Sequence, residues 1–226
     1  MSLRLTRRGR LVQRLILAFV GAGFGVLVSA VNHGFGPASE YVSKVIGNGW
    51  VWLAAGLGAC LLGNGWKQSW VSGVVFFWPA VIGYYIADTA AGVYTSAPFA
   101  DPAAPAQLDL LPVVSDTVAY VVVAAAASAV LAVVVLASRR RGMVGLLGAV
   151  SVPSYITYDA LTLHHGLRQL PARFYDPLEA AVTWYLGLTA LTVVVVVVAV
   201  RLRRMLRARP GAVERPLPQA SRPARQ

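Results

Sequence analysis

Apolar residues occur along this chain in six long runs, which short polar or glycine-rich stretches separate. The runs cover residues 11–32, 46–66, 70–92, 113–137, 143–163 and 178–200. Each reaches about 20 residues, the length that an α-helix needs to cross a hydrocarbon core about 30 Å thick. The pattern predicts an all-α fold, a polytopic transmembrane helical bundle of six spans within residues 1–208.

The second run is the one whose path is in question. The letters Gly-Asn-Gly-Trp stand at both of its ends, at 47–50 and at 63–66. The apolar residues from Trp50 to Leu62 would extend only about 20 Å as a helix. Such a length is typical of a segment that enters the membrane and returns. The choice between crossing and returning fixes the orientation of every later run.

The basic residues favour crossing. If all six runs cross and the N-terminus is cytoplasmic, most basic residues fall inside, including Lys67, Arg139–Arg141 and the arginines after residue 200, and nearly all acids fall in the outer half. A returning second run would place Arg139–Arg141 and the C-terminal arginines outside, against the positive-inside rule. We therefore expect both termini to be cytoplasmic and the second helix to be continuous from about Ile46 to Trp66.

Composition agrees with a membrane protein. The chain of 226 residues is 57% hydrophobic and 13% charged, and its mean hydropathy is +0.63, whereas soluble domains carry roughly 25% charged residues. The 20 basic residues outnumber the 9 acidic ones, and they cluster at the ends of apolar runs. This predicts contact with the lipid bilayer and with anionic lipids at the cytoplasmic face, not with nucleic acid. The abundance of Arg, Ala and Val is typical of a GC-rich bacterial genome, so we expect the bacterial cytoplasmic (plasma) membrane.

The segments outside the runs predict four local features. Residues 209–226 have too little apolar surface to fold and predict a disordered basic cytoplasmic tail. Val28–Ala30 would suit cleavage if the first run were a signal peptide, which is the alternative to a span. Residues 37–46 predict a short amphipathic helix, either on the outer interface or leading into the second span. Residues 176–179, Asp-Pro-Leu-Glu, predict an N-cap for the sixth span.

Small residues recur at intervals of four in the first two runs. Such ridges let helix backbones approach closely in lipid, where no hydrophobic force drives helices together. We expect spans one and two to pack through the two ridges, which are Gly21, Gly25 and Ser29 in the first and Ala55, Ala59 and Gly63 in the second.

Ionisable residues inside spans are the candidates for function because burying them in lipid is costly. Asp88 and Asp159 both lie in the outer halves of their spans, and Tyr84 and Tyr155 precede them by four residues. One interpretation is a proton or cation site in a cavity open to the outside. The other is a pair of interfacial carboxylates that water reaches, with tyrosines at headgroup level.

No catalytic or metal-binding pattern is present in the sequence. It contains no triad spacing, no phosphate-binding loop and no paired cysteine motif. The adjacent His164 and His165 point to different helix faces and do not form a chelating pair. We therefore expect no cofactor, no metal and no catalytic residue.

Two short motifs resemble a family of uncharacterised small six-helix integral membrane proteins from actinobacteria. They are Asn-Gly-Trp-Val-Trp at Asn48–Trp52 and Gly-Tyr-Tyr at Gly83–Tyr85, and the resemblance covers about residues 15–95. It implies six helices and no particular activity.

The sequence leaves three functions open. The leading expectation is a non-enzymatic membrane protein with a structural, accessory or partner-binding role, whose partner is another protein or a second copy of the chain. The alternative is a small proton- or cation-coupled transporter that uses Asp88 and Asp159. The third is a membrane-embedded enzyme that acts on lipid at the outer face through His164 or Asp159.

Overall fold

The computed structural model describes residues 7–34, 36–96 and 106–207, so the predicted tail at 209–226 lies outside the described residues. The described residues form seven α-helices, which are α1 (Arg7–Asn32), α2 (Pro37–Ile46), α3 (Gly49–Leu61), α4 (Trp66–Ala90), α5 (Leu110–Ser138), α6 (Gly142–Arg168) and α7 (Pro177–Arg207). Two short strands, β1 (Thr95–Ser96) and β2 (Gln107–Leu108), pair antiparallel before α5. A 3₁₀ turn at Ala172–Phe174 lies before α7. The prediction of a helical fold is confirmed.

Four helices in the described part of the chain are long and apolar enough to cross a membrane, namely α1 from Arg8 onwards, α4, α5 and α7. They correspond to the first, third, fourth and sixth predicted spans. The helix α6 has 27 residues but is more polar, and α3 is apolar but has only 13. The chain is therefore a helical membrane protein.

The second run does not form one helix, so the predicted continuous helix from Ile46 to Trp66 is wrong at both ends. Its helical part is α3, and the run begins where α2 ends, at Ile46; the bounds of α2 match the predicted amphipathic helix. Between α2 and α3, Asn48 is extended, with φ −72° and ψ 143°, and its side-chain amide donates to the carbonyl of Lys44 at 2.5 Å. Glycine costs a helix about 1 kcal/mol, and asparagine competes for backbone hydrogen bonds. These residues therefore end the helix on both sides of α3.

The helix α3 runs between two chemically different ends of the bundle. Beside its first turn, the indole of Trp50 donates to Asp159 on α6 at 2.6 Å. At its other end, the carbonyl of Leu61 accepts from Arg139 at 2.7 Å and that of Leu62 accepts from Gln13 at 3.3 Å. The 13 residues of α3 thus connect the end that holds Asp159 with the end that holds Arg139.

The small-residue ridge of α1 packs against α4, and the predicted partner, α3, is wrong. A Cβ on Gly21 would lie 2.1 Å from the carbonyl oxygen of Phe76, and one on Gly25 would lie 1.8 Å from that of Ala80. Gly21 contacts Phe76 and Gly25 contacts Ala80, so the residue numbers increase in the same direction along both helices. The helices α1 and α4 are therefore parallel. Small residues show which face permits close approach, but they do not show which helix will use it.

The small residues of the second run have separate surroundings. Ala59 is buried in the core and Ala55 packs against it. Gly63 lies in the turn after α3, where a Cβ would be 2.2 Å from the backbone nitrogen of Ser69 at the start of α4. Gly63 therefore allows a tight turn and does not extend the ridge.

The core lies along α4, which packs against α1, α3 and α5. Phe76 and Phe77 of α4 are buried there with Leu131 and Val135 of α5. The helices α6 and α7 form an antiparallel pair, and Arg201 of α7 donates to the carbonyl of Ser138 at 2.6 Å. Many large apolar side chains remain exposed on the outside of the bundle, as suits a surface that faces lipid.

Candidate functional site

Asp88 is buried near the C-terminal end of α4, with 4% of its surface exposed. One carboxylate oxygen, Oδ1, accepts a hydrogen bond from the hydroxyl of Ser29 at 2.5 Å. The same oxygen lies 3.0 Å from Nε2 of His33. A buried carboxylate is costly unless it is hydrogen-bonded, and these two partners satisfy it. Ser29, which the sequence indicated only as a packing residue, is thus a polar partner of Asp88.

Ser29, His33 and Asp88 are the residue types of a hydrolytic triad, but they are arranged differently. In a triad the imidazole lies between the hydroxyl and the carboxylate and removes the proton of the hydroxyl. Here the hydroxyl donates directly to Asp88, and Ser29 is 1% exposed. The arrangement holds the buried hydroxyl in place, and it does not have the order of contacts of a triad.

Tyr84 belongs to a second polar group beside Asp88. Its hydroxyl accepts from the side-chain amide of Asn32 at 3.4 Å. The amide oxygen of Asn32 in turn accepts from the hydroxyl of Ser43 on α2 at 2.7 Å. This chain of hydrogen bonds joins the ends of α1 and α4 to α2.

Asp159 and Tyr155 lie elsewhere in the bundle. Asp159 accepts from Trp50, which is itself buried, and Tyr155 is 53% exposed. Within the described residues, no hydrogen bond or ion pair joins Asp159 to Asp88. The structure therefore places the four candidate residues in three separate surroundings, with Asp88 and Tyr84 near the α1–α4 contact, Asp159 against α3 and Tyr155 on the surface.

Lys44 ties α2 to the start of α7. Its ammonium pairs closely with Asp176 and lies 3.7 Å from Glu179. Asp176 also accepts from the backbone N–H groups of Leu178 at 2.9 Å and Glu179 at 3.1 Å, which confirms the predicted N-cap.

The charges of this pair shift both pKa values. The hydrogen bond from Lys44 lowers the pKa of the Asp176 carboxyl below its ordinary value. Burial acts to lower the pKa of Lys44, but the hydrogen bond and charge of Asp176 and the charges of Glu179 and Glu40 outweigh it, so the pKa is raised. Each group thus favours the charged form of the other.

A cavity of about 570 Å³ lies between α1, α3, α4 and α5. At the end nearest α2 it is lined by Asn32, Tyr84, Tyr85 and Tyr120, and deeper it is lined by apolar side chains such as Leu53, Phe77, Val81 and Ala127. Its volume is within the range of roughly 300–1,000 Å³ that is usual for small-molecule sites.

Of the residues that line this cavity, the sequence indicated only Tyr84 as part of a candidate polar site. It assigned no site to Tyr85, which it named only in the Gly-Tyr-Tyr motif, or to Tyr120; the ring centroids of these two residues are 6.1 Å apart. The available signal was that both lie in the outer parts of predicted spans three and four. Without knowing which helices are neighbours, nothing in the sequence brings them together.

The remaining histidines make local contacts. Nδ1 of His164 lies 2.8 Å from the carbonyl oxygen of Ala180, and Nε2 of His165 lies 2.8 Å from the side-chain nitrogen of Gln169. The described residues contain no group of three His, Cys, Asp or Glu side chains that could hold a metal ion.

These features define an all-helical membrane protein with a buried, hydrogen-bonded carboxylate at Asp88 and an aromatic-lined cavity. No protein-family model matches the chain, and the comparisons found neither a curated protein nor a solved structure that is similar to it.

Proposed function

We propose that this protein crosses the bacterial cytoplasmic membrane six times, with both termini in the cytoplasm, and that it acts by binding and not by catalysis. Its role is structural, accessory or partner-binding, and its relatives are small six-helix membrane proteins of actinobacteria.

The distribution of contacts supports this threading. The contacts of Arg139 and Arg201 lie at one end of the bundle, and those of Asp88, Asp159 and Asp176 lie at the other. The positive-inside rule then puts the arginine end in the cytoplasm. On this threading α3 is a short crossing, because its two ends reach the opposite ends of the bundle.

The observation that carries a binding role is that the polar side chains of the outer end are engaged with one another. Asp88 is held by Ser29, Asp159 accepts from Trp50, and Lys44 pairs with Asp176. A catalytic acid, base or nucleophile must reach the reacting atoms of a substrate. Groups that are already engaged in joining helices serve the fold instead.

The expected partners are the bilayer itself, anionic lipids at the arginine end, and a second protein or a second copy of the chain. Clusters of arginine beside a membrane attract anionic lipid at about 1 kcal/mol per residue. An enzyme that acts on lipid through His164 or Asp159 is less well supported, since both contact groups within the protein.

One observation favours a transporter as the second candidate. The His33 side chain is 36% exposed, and it contacts the buried Asp88. It would give protons or cations from the outer side a route to a carboxylate within the bundle.

Two experiments test these proposals. Reporter fusions at the C-terminus and after Arg141 are expected to be cytoplasmic, and an external signal at either position would overturn the threading. In proteoliposomes that contain a pH-sensitive dye, the wild type and Asp88→Asn are expected to show the same proton flux as empty vesicles. A flux that Asp88→Asn abolishes and Asp116→Asn preserves would establish the transporter instead.

A further inference from the structure

We infer that the cavity between α1, α3, α4 and α5 binds a neutral single-chain lipid, with its polar head beside Asn32 and Tyr84 and its chain directed into the bundle. This inference rests on the proposed membrane threading and specifies the ligand of a binding protein.

The lining of the cavity changes from polar to apolar along its length. The residues Asn32, Tyr84, Tyr85 and Tyr120 line the part of the cavity nearest α2, where the amide of Asn32 donates to the hydroxyl of Tyr84. One or two helical turns deeper, Phe77 and Ala127 provide only apolar surface. A lipid of the outer leaflet has the same polarity, with its head outside and its chain pointing to the bilayer centre. The polar end of the cavity therefore faces the head group of the lipid, and the apolar end faces its chain.

The cavity is accessible from the lipid-facing side of the bundle. Its α5 wall includes Tyr120 and Val123, which are 57% and 60% exposed. On the proposed threading, these side chains face lipid. A chain from the bilayer can therefore enter sideways without passing through water.

The head group is expected to be neutral. Arginine and lysine are the usual partners of phosphate and carboxylate groups, and among the described residues neither type lines the cavity. Lys44, on the adjacent α2, is engaged by Asp176. Asn32 and the tyrosines supply uncharged donors and acceptors, which suit the hydroxyl and ester groups of a monoacylglycerol.

Two glycines of α3 provide a matched pair of variants. A Cβ at Gly49 would meet no atom within 4 Å, and Gly49 lines the cavity. A Cβ at Gly58 would also meet nothing within 4 Å, but Gly58 does not line it. Gly49→Leu therefore adds a side chain at the polar end of the cavity, and Gly58→Leu makes the same change on the same helix away from it.

The test uses the full chain in nanodiscs and a photoreactive monoacylglycerol, with the labelled peptides identified by mass spectrometry. We expect saturable labelling of cavity residues that Gly49→Leu weakens about tenfold, or about 1.4 kcal/mol, and that Gly58→Leu leaves unchanged. Gly49 lies at the polar end of the cavity, so the added side chain displaces the head group, and the loss of one hydrogen bond, at about 0.5–1.5 kcal/mol, accounts for this difference. Unlabelled monoacylglycerol should compete, and lysophosphatidylglycerol should compete more weakly.

Three outcomes would overturn the inference: labelling that does not saturate, equal labelling of the two glycine variants, or stronger competition by the anionic lipid. The reporter fusions test the threading independently. If they place the termini inside and labelling still fails, the lipid site is wrong and the membrane topology stands.

Discussion

The hydroxyl of Ser29 on α1 donates a 2.5 Å hydrogen bond to the carboxylate of Asp88 on α4, across an interface where the two backbones are in close contact. Gly21 and Gly25 bring the helices together, and the Ser29–Asp88 bond fixes how far one is shifted along the other. Close approach and alignment are thus provided by residues on one face of α1.

Ser29→Ala is expected to destabilise the protein. The substitution leaves a buried carboxylate with one partner fewer, which costs about 1–3 kcal/mol. Thermal unfolding in detergent measures the loss. The control is Ser151→Ala on α6, whose exposed hydroxyl bonds only a carbonyl three residues earlier, so a similar loss in both variants would contradict the role of Ser29.

Gly25→Ala is expected to separate α1 from α4. Its Cβ would lie 1.8 Å from the carbonyl oxygen of Ala80, so the backbones must shift, at about 1–3 kcal/mol. Gly23→Ala, on the same helix, meets no atom within 4 Å and should be neutral or stabilising by up to about 1 kcal/mol. Cysteine crosslinking between α1 and α4 would report the separation, and equal yields in the two variants would refute it.

Lys44→Met is expected to weaken the connection between α2 and α7 by about 0.2–1 kcal/mol, since the pair is partly exposed. The pKa of Asp176 is lowered from 3.8, so its contribution to stability is present above that value and is lost as the pH falls through the lower folded pKa. The pKa of Lys44 is raised from 10.5, so its contribution is present below that value and is lost as the pH rises through the higher folded pKa.

The stability difference between wild type and Lys44→Met should therefore be constant between about pH 4 and pH 10, and it should shrink beyond both limits. Unfolding measured across this range tests the expectation. Lys67→Met is the matched control at the other end of the bundle, and a difference that is independent of pH below 4 would exclude the ion pair as its source.

Trp50→Phe is expected to release α3 from α6. It removes the indole that donates to Asp159 at 2.6 Å, and a hydrogen bond to a charged group contributes about 1.5–3 kcal/mol. Trp66→Phe is the control, because Trp66 is partly exposed and stacks on Trp70, a contact that phenylalanine can keep. Proteolysis of the α2–α3 connection should increase in Trp50→Phe alone.

Periodicity and charge predicted where the helices lie in the sequence more reliably than they predicted which helices pack together. Apolar length predicted the positions of α1, α4, α5 and α7, because lipid requires every spanning backbone to be helical. The N-cap at Asp176 followed from local chemistry, since the cap and the N–H groups it serves are adjacent in the chain. Tyr85 and Tyr120 lie together because α4 and α5 pack, and no local signal carries that information.

The short helix within the second run shows a limit of reasoning from charge alone. The positive-inside rule predicts an odd number of crossings between Lys44 and Lys67, but it says nothing about the length of the helix. The expectation of a continuous helix adds to that rule the requirement that a crossing helix reach about 20 residues. The residues Asn48 and Gly63 instead end α3 according to their own backbone preferences.

The shortness of α3 has a consequence for the surrounding bilayer. Its 13 residues extend about 20 Å, whereas the hydrocarbon core of a bilayer is about 30 Å thick. On the proposed threading, the acyl chains beside α3 must shorten or tilt, at a fraction of a kcal/mol for each ångström of mismatch. The protein should therefore partition into thinner regions of membrane, and it would carry with it a local depression in the leaflet surface above the aromatic cavity.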